Sequence, residues 1–269
     1  MLSTKTSTAR KYLLEDPCSL YIQSKINPER LQGDGWGIGF YVNGTPRLIK
    51  SEKPVYAEHE RFNSVVSAAN SSIIVAHIRR ASNPRGLPSK RLISIDNSQP
   101  FQYGRYIFAH NGTINIPDEV AERLGDWKQN IRGVNDSEVY FWYVVKELEC
   151  GVSFQEALMG FQKTLSDLWR ENREKHSEKS RPYVGLNIVF SDGEKLYAYC
   201  KYDGRDEAVK SLCYQDQPAL QMSYIVSSTS LVVASEKTNR EDDWRALESN
   251  NLLIGQIVDE TISVELQKI

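Results

Sequence analysis

The chain has 269 residues, which is long for one domain and short for two. Of these residues 40% are hydrophobic and 25% are charged, the composition of a folded globular protein and not of a disordered one. Thirty-three basic and 35 acidic residues give a formal net charge of −2. The chain therefore offers no broad positive field, and we expect neither a nucleic-acid partner nor an anionic membrane surface.

No apolar run approaches the roughly 20 residues that span a bilayer, and the N-terminus lacks the apolar stretch of a signal peptide. A soluble, cytoplasmic protein is the expectation. The four cysteines, Cys18, Cys150, Cys200 and Cys213, have no C-x-x-C spacing, which disfavours a zinc site and a disulfide framework. The four histidines also lack metal-ligand spacing. We therefore expect reduced thiols and no metal.

In chain order, the first predicted element is a β-hairpin. Glycine alternates with bulky apolar residues over 35–42, and Asn43-Gly44 is typical of a type I′ turn before a second extended run. Glycines that alternate along a strand do not open a helix, so they indicate close backbone packing in place of a dinucleotide site. Short strands are predicted at 72–77 and 106–109, and each is followed by polar residues.

Two helices follow these strands. Asn135 is a predicted N-cap with Glu138 three residues later, and Ser153 with Glu156 forms a stronger capping-box signature. The second helix carries an apolar stripe at helical spacing, formed by Phe154, Leu158, Phe161, Leu165 and Leu168. The last third returns to strands at 184–190, 196–200, 224–226 and 231–234. This order predicts an α+β fold, with residues 1–269 in one domain.

Two neighbouring arginines and one acidic residue could carry chemistry. Arg79 and Arg80 follow a predicted strand, so alternation sends them to opposite faces. Both could be surface residues, or one could bind a carboxylate through its bidentate guanidinium. Asp136 lies in the first turn of a predicted helix, where the helix dipole favours an acid with or without a function.

The pair Asn111-Gly112 has two interpretations as well. By default it is a turn. In the functional interpretation, the Asn111 amide and the Gly112 backbone N–H point at a developing oxyanion, since glycine permits close approach to a reacting carbonyl.

Six sequence motifs together resemble the class II glutamine amidotransferase family, also called Ntn-type glutaminases, over nearly the whole chain. They are Gly33-Asp-Gly-Trp-Gly-Ile-Gly-Phe-Tyr, Ala76-His-Ile-Arg-Arg-Ala-Ser, Asn97-Ser-Gln-Pro-Phe, Phe108-Ala-His-Asn-Gly-Thr-Ile, Asn135-Asp-Ser-Glu, and Val233-Ala-Ser-Glu followed by Trp244. The chain is most similar to the stand-alone branch, which includes the γ-glutamyl amide hydrolases of ergothioneine synthesis and glutathione breakdown.

The resemblance implies a four-layer αββα Ntn-hydrolase sandwich with its site at one end of two facing sheets. It implies that Arg79 holds the α-carboxylate of the substrate and that Asp136 takes its α-ammonium group. Asn111 and Gly112 would then form the oxyanion hole of a hydrolase that cleaves the γ-amide of glutamine or of a γ-glutamyl compound.

The same resemblance places Arg80 and Ser82 in the lining of this pocket. It implies a small-molecule γ-glutamyl substrate and no organic cofactor. Because no synthase segment is recognised in the chain, the ammonia released from glutamine would go to water or to an ammonia-accepting partner protein.

The family's nucleophile is a cysteine at the second residue, exposed when the initiator Met is removed, and its own α-amino group relays the proton. This chain reads Met1-Leu2-Ser3. Three explanations stay open. The natural chain could begin about three residues upstream with that cysteine, or hydrolysis could be lost and a γ-glutamyl-binding regulatory protein remain. A substitute nucleophile such as Ser3, Thr4 or Cys18 is the third.

Overall fold

A computed structural model describes residues 1–269, and its thirteen strands form two antiparallel sheets. The strands are β1 (Leu2–Ser7), β2 (Trp36–Val42), β3 (Thr45–Ser51), β4 (Ser71–Ile78), β5 (Phe101–Tyr103), β6 (Tyr106–Ile114), β7 (Tyr183–Ser191), β8 (Leu196–Cys200), β9 (Met222–Val226), β10 (Ser230–Ala234), β11 (Arg245–Leu247), β12 (Asn251–Val258) and β13 (Thr261–Lys268). The first sheet has the order β11-β9-β10-β1-β4-β2-β3, and the second has the order β13-β12-β8-β7-β6-β5.

Six α-helices accompany the two sheets. They are α1 (Leu20–Gln23), α2 (His59–Ala68), α3 (Ser89–Leu92), α4 (Pro117–Glu122), α5 (Asp136–Glu149) and α6 (Phe154–Glu171). Short 3₁₀ turns and one π-helical turn, Lys11–Glu15, complete the helical structure. None of these helices is both long enough and apolar enough to span a bilayer.

Three buried clusters define four layers. Between the sheets, Leu2 and Val75 of the first sheet share a cluster with Ile107 and Ala198 of the second. Helices α4, α5 and α6 cover the outer face of the second sheet. Helix α2 covers the first sheet, where its Phe62 ring meets Trp36 edge-on at 5.1 Å. The predicted αββα sandwich is confirmed.

The β2–β3 hairpin explains the alternating glycines. Asn43 and Gly44 both have positive φ, 51° and 75°, as a type I′ turn requires. A Cβ on Gly39 would lie 2.9 Å from Ile107 Cγ2, and one on Gly37 would clash with the backbone oxygen of Gln99. The glycines therefore let the two sheets approach closely, as expected from the sequence.

Helix α6 has the predicted capping box, in which the Ser153 hydroxyl and the Glu156 carboxylate each satisfy the other's backbone N–H. Helix α5 differs. The Asn135 side chain accepts from Ser137 N at 2.9 Å, but Glu138 turns away and accepts from the backbone of the preceding loop. In α5, Asn135 is therefore an N-cap as predicted, but Glu138 does not complete a capping box.

Two expectations from the sequence are wrong. Residues 111–112 do not form a turn, because β6 continues to Ile114 and pairs with β7 along this stretch. Cys18 and Cys213 are not free thiols: they form a disulfide with a Cα–Cα distance of 6.1 Å across a sequence separation of 195. No local spacing reveals a pair that only the tertiary fold brings together. Cys150 and Cys200 are reduced.

Candidate functional site

A small polar cavity of about 60 Å³ lies where the ends of β4 and β6 meet the start of α5. Five of the six predicted site residues line it: Arg79, Arg80, Ser82, Asn111 and Gly112. The sixth, Asp136, lies directly behind Ser82 and is 1% exposed. The fold therefore brings together residues that are up to 57 positions apart in the chain.

Arg79 is held at the end of β4 with its guanidinium inside the protein. The residue is 3% exposed, and Nη1 donates to the backbone oxygens of Leu92 at 2.8 Å and Asp34 at 3.3 Å. Burial lowers the pKa of the guanidinium, while the charges of Asp34 and Asp136 oppose that shift. Arg80 is exposed, as strand alternation predicts.

Asp136 joins three parts of the site. Its Oδ1 accepts from Ser82 Oγ at 2.5 Å, and its Oδ2 accepts from Ile114 N at 2.7 Å. Because it is the first residue of α5, its negative charge also lies at the favourable end of the helix dipole. Asp136 thus links the loop after β4, the end of β6 and the start of α5.

The edge of β6 beside the cavity has no strand neighbour, since β5 pairs only with Tyr106–Phe108. Side chains take the place of a strand there. His110 N donates to Gln99 Oε1 at 2.6 Å, and Ile114 N donates to Asp136 Oδ2. Alternate residues of a strand direct their backbone groups to the same edge. The N–H of Gly112, midway between these two residues, therefore points to this edge and to the cavity.

Gly112 has no room for a side chain. A Cβ there would clash with the backbone of Gly185 on β7 and would lie 2.7 Å from His110 Nε2. The register of β6 and β7 shifts between Gly112 and Thr113, a β-bulge that contains this contact. Asn111 is exposed and lines the cavity beside it.

Two histidines line the cavity, His110 on β6 and the partly buried His77 on β4. His110 is 2% exposed, with Nδ1 2.9 Å from Ser137 Oγ and Nε2 3.3 Å from Gly185 O, and burial lowers its pKa. Burial, followed by the charge of Arg79, lowers the pKa of His77 to about 3. Both imidazoles are therefore neutral near pH 7. Sequence reasoning treated them as ordinary histidines; their only signal was their place inside the quoted motifs.

Comparison with known proteins supports the fold and decides the family. The structure resembles a glutamine aminotransferase class-II domain protein of Silicibacter pomeroyi, with TM-score 0.59, 20% identity, and coverage of 87% of this chain and 95% of that one. It also resembles the glutamine phosphoribosylpyrophosphate amidotransferase of B. subtilis, with TM-score 0.56, 16% identity, and coverage of 87% and 43%. The family model for class-II glutamine amidotransferases matches residues 24–266. The chain belongs to this family.

Two curated relatives of the chain match it over different lengths. An uncharacterized protein of Methanocaldococcus jannaschii is 29% identical over 240 residues, which are 82% of this chain and 60% of that protein. The γ-glutamyl-hercynylcysteine sulfoxide hydrolase of Mycobacterium tuberculosis H37Rv is 33% identical over 107 residues, or 38% of this chain and 43% of the hydrolase. The chain thus spans about half the length of these relatives.

A second cavity of about 130 Å³ adjoins the polar one, and the two share His77, His110 and Asn111. Most of its lining is apolar. Its walls include residues 75–77, at the end of β4, and 232–235, at the end of β10. Strand β1 lies between β4 and β10, so this cavity lies on the axis of β1 beyond Met1.

The three substitute nucleophiles considered from the sequence lie outside both cavities. Ser3, Thr4 and Cys18 are absent from the lining of both cavities. The Ser3 hydroxyl donates to Thr229 O at 3.3 Å, and the Cys18 sulfur is bonded to Cys213. None of these three side chains is therefore placed to attack a carbonyl beside Asn111.

Proposed function

We propose that the protein hydrolyses the γ-amide of glutamine or of a γ-glutamyl compound. Arg79 binds the α-carboxylate of the substrate and Asp136 binds its α-ammonium group, so the two charges select a glutamyl unit. The Asn111 side-chain amide and the Gly112 N–H stabilise the tetrahedral oxyanion. The family and the name of the mycobacterial relative support this chemistry.

One observation carries the proposal: the edge of β6 that presents the Gly112 N–H opens into the same cavity as Arg79. A backbone donor held by the sheet needs no reorganisation when charge develops on the substrate. Ser82, which donates to Asp136 Oδ1, holds the carboxylate that receives the ammonium group. Arg80, exposed at the cavity, contacts the part of the substrate beyond the glutamyl unit.

We place the nucleophile on residues that precede Met1, because the second cavity has the position of a continued β1. Met1 and Ile74 exchange both backbone hydrogen bonds, at 2.8 and 3.0 Å. In this antiparallel register the next two upstream residues oppose Val75 and Ala76, beside the shared wall of the two cavities. A cysteine opposite Ala76, made N-terminal by removal of the initiator Met, would start the chain there.

The reaction then has two steps. The thiol sulfur attacks the γ-carbonyl carbon, and the terminal α-amine, with an ordinary pKa of about 8, takes the thiol proton and passes it to the leaving nitrogen. The C–N bond breaks to give a thioester and free ammonia or amine. Water then hydrolyses the thioester to glutamate and restores the thiol. No cofactor takes part, and ammonia goes to water or to a partner protein.

The test is the intact mass and the activity of the protein expressed with its own upstream DNA. We expect a mass that includes a few upstream residues beginning with Cys, together with glutamate release from glutamine or a γ-glutamyl amide. Asn111→Ala should lower the rate about 10²- to 10³-fold while leaving binding nearly intact, because one oxyanion donor is lost. Unchanged turnover in this variant would contradict the assignment of Asn111.

The rival function is γ-glutamyl binding without hydrolysis. It predicts that glutamine raises the melting temperature and is not consumed, and that Arg79→Ala abolishes the shift. A mass that begins at Met1 or Leu2, together with this response, would replace the hydrolase proposal by the binding one.

A further inference from the structure

The side chain of Gln99 takes the place of a strand partner for His110. Gln99 Oε1 accepts from His110 N at 2.6 Å, and Gln99 Nε2 donates to His110 O at 3.1 Å. These are the two bonds that a neighbouring strand would make in an antiparallel hydrogen-bonded pair. Gln99 is 3% exposed and His110 is 2% exposed, so both bonds lie inside the protein.

The second N–H of the Gln99 amide also bonds to a protein group. Its second Nε2 proton is directed to Ser137 Oγ at 3.3 Å, and that hydroxyl lies 2.9 Å from His110 Nδ1. Both donors of the amide are therefore used by protein groups, although Gln99 lines the polar cavity. This arrangement suits a side chain that fixes β6 and does not bind the substrate directly.

Only one residue lies between His110 and Gly112. The edge of β6 is fixed on one side of Gly112 by Gln99 at His110, and on the other side by Asp136 at Ile114. The direction of the Gly112 N–H depends on both ends of this short segment. A shift of the His110 backbone would therefore turn the oxyanion donor away from the reacting carbonyl.

We propose that Gln99 is a positioning residue for the oxyanion hole, acting through the backbone of His110. The assignment rests on the proposed hydrolase function, and it concerns the rate of the chemical step and not substrate affinity. The α-carboxylate and α-ammonium contacts belong to Arg79 and Asp136, which Gln99 does not touch through any hydrogen bond.

The first test replaces Gln99 by a side chain of similar length without hydrogen-bonding groups, Gln99→Met. The matched control is Gln102→Met on β5, because Gln102 is exposed and donates only to Gly104 O. We expect kcat to fall about 10- to 10²-fold in Gln99→Met, less than the loss of a whole donor, with KM changed less than about twofold. Gln102→Met should match the wild type. Active-site titration with a γ-diazoketone analogue of glutamine corrects kcat for misfolded protein.

The second test, Gln99→Glu, keeps the shape and adds a pH readout. A protonated carboxyl can accept from His110 N and donate to His110 O as the amide does, but an ionised carboxylate has no donor. The ratio of kcat in Gln99→Glu to wild-type kcat should therefore fall as pH rises through the pKa of the introduced group. The charged groups around it are Arg79 and Arg80, which line the same cavity, Asp136, which accepts from Ile114 N on the same edge of β6, and Lys50, which donates to Ser98 O at 2.8 Å. His77 and His110 stay neutral.

The outcomes separate the two proposals. An active wild type with unchanged kcat in Gln99→Met, or with a pH-independent ratio in Gln99→Glu, would overturn the role of Gln99 alone. A rise of KM by about 10- to 10²-fold in Gln99→Met with unchanged kcat would also overturn this role, since Gln99 would then act in substrate binding. A wild type that begins with Cys and releases no glutamate would overturn the hydrolase function, and the positioning role with it.

Discussion

Breaking the Cys18–Cys213 disulfide should lower the free energy of unfolding by an amount that the loop length sets. The bond closes a loop with a sequence separation of 195. The chain-entropy relation gives about 5 kcal/mol at 25 °C for such a loop, as an upper value, and disulfides more often contribute about 2 to 4 kcal/mol. Part of the native contact survives without the bond, because Cys18 N still donates to Thr238 O at 2.8 Å. We therefore expect a loss of about 2 to 5 kcal/mol.

The assay is urea unfolding of three samples. They are the oxidised protein, the protein reduced by a dithiol, and the double variant Cys18→Ser/Cys213→Ser. In a chain of residues 1–269, thiol labelling after denaturation should find two reactive cysteines in the oxidised protein and four after reduction, and the proposed N-terminal cysteine would add one to each count. Reduction should lower the midpoint and raise the slope m, because the unfolded chain without its cross-link exposes more surface. Cys150→Ser, at an exposed free thiol, is the control and should respond to reduction as the wild type does. Equal unfolding free energies before and after reduction, with labelling as expected, would refute the reasoning.

Three shorter predictions concern the site and its support. Gly112→Ala should abolish turnover and lower the melting temperature, because the added methyl clashes with the facing strand; an active, fully stable variant would contradict the close approach seen here. Ser82→Ala should raise KM more than it lowers kcat in steady-state kinetics, since it removes a donor from Asp136 Oδ1; a pure kcat effect would argue against the ammonium role. Burial opposes ionisation of Glu119, but the hydrogen bonds from Lys175 and His176 and the charge of His176 together outweigh it, and the pKa falls to about 2. The pKa of this carboxyl in the unfolded chain is about 4.3, so Glu119→Gln should lower the free energy of unfolding at pH 7. The difference between variant and wild type in urea unfolding should vanish as pH falls from about 5 towards 2. A difference that persists at about pH 2 would rule out the ion pair as its source.

Local signals predicted the elements that depend on local contacts. The Asn43-Gly44 hairpin and the Ser153 capping box follow from short-range geometry, and both are present. The hairpin of β12 and β13 was missed because its turn is Asp259-Glu260, both with positive φ and neither a glycine or asparagine.

Contacts between segments distant in the chain could not be predicted from local sequence patterns. Asn111-Gly112 has the composition of a turn, yet pairing with β7 keeps it extended. The disulfide and the contact of Gln99 with His110 both depend on tertiary proximity. The candidate site residues were proposed through family motifs, and only the fold reveals why they meet: the ends of β4 and β6 and the start of α5 converge.

The two strands of the β5–β6 hairpin have very different lengths, three residues against nine. β5 begins at Phe101, and two residues earlier Gln99 bonds to His110 through its side chain in place of its backbone. If β5 were extended upstream by four residues in the register that pairs Phe101 with Phe108, its backbone at position 97 would hydrogen-bond to the Gly112 amide and consume the donor. A shortened partner strand is thus a general way to keep one main-chain amide available inside a well-ordered sheet. A design that transfers this site to another β-protein would therefore need the same short strand beside the long one, together with the side chains.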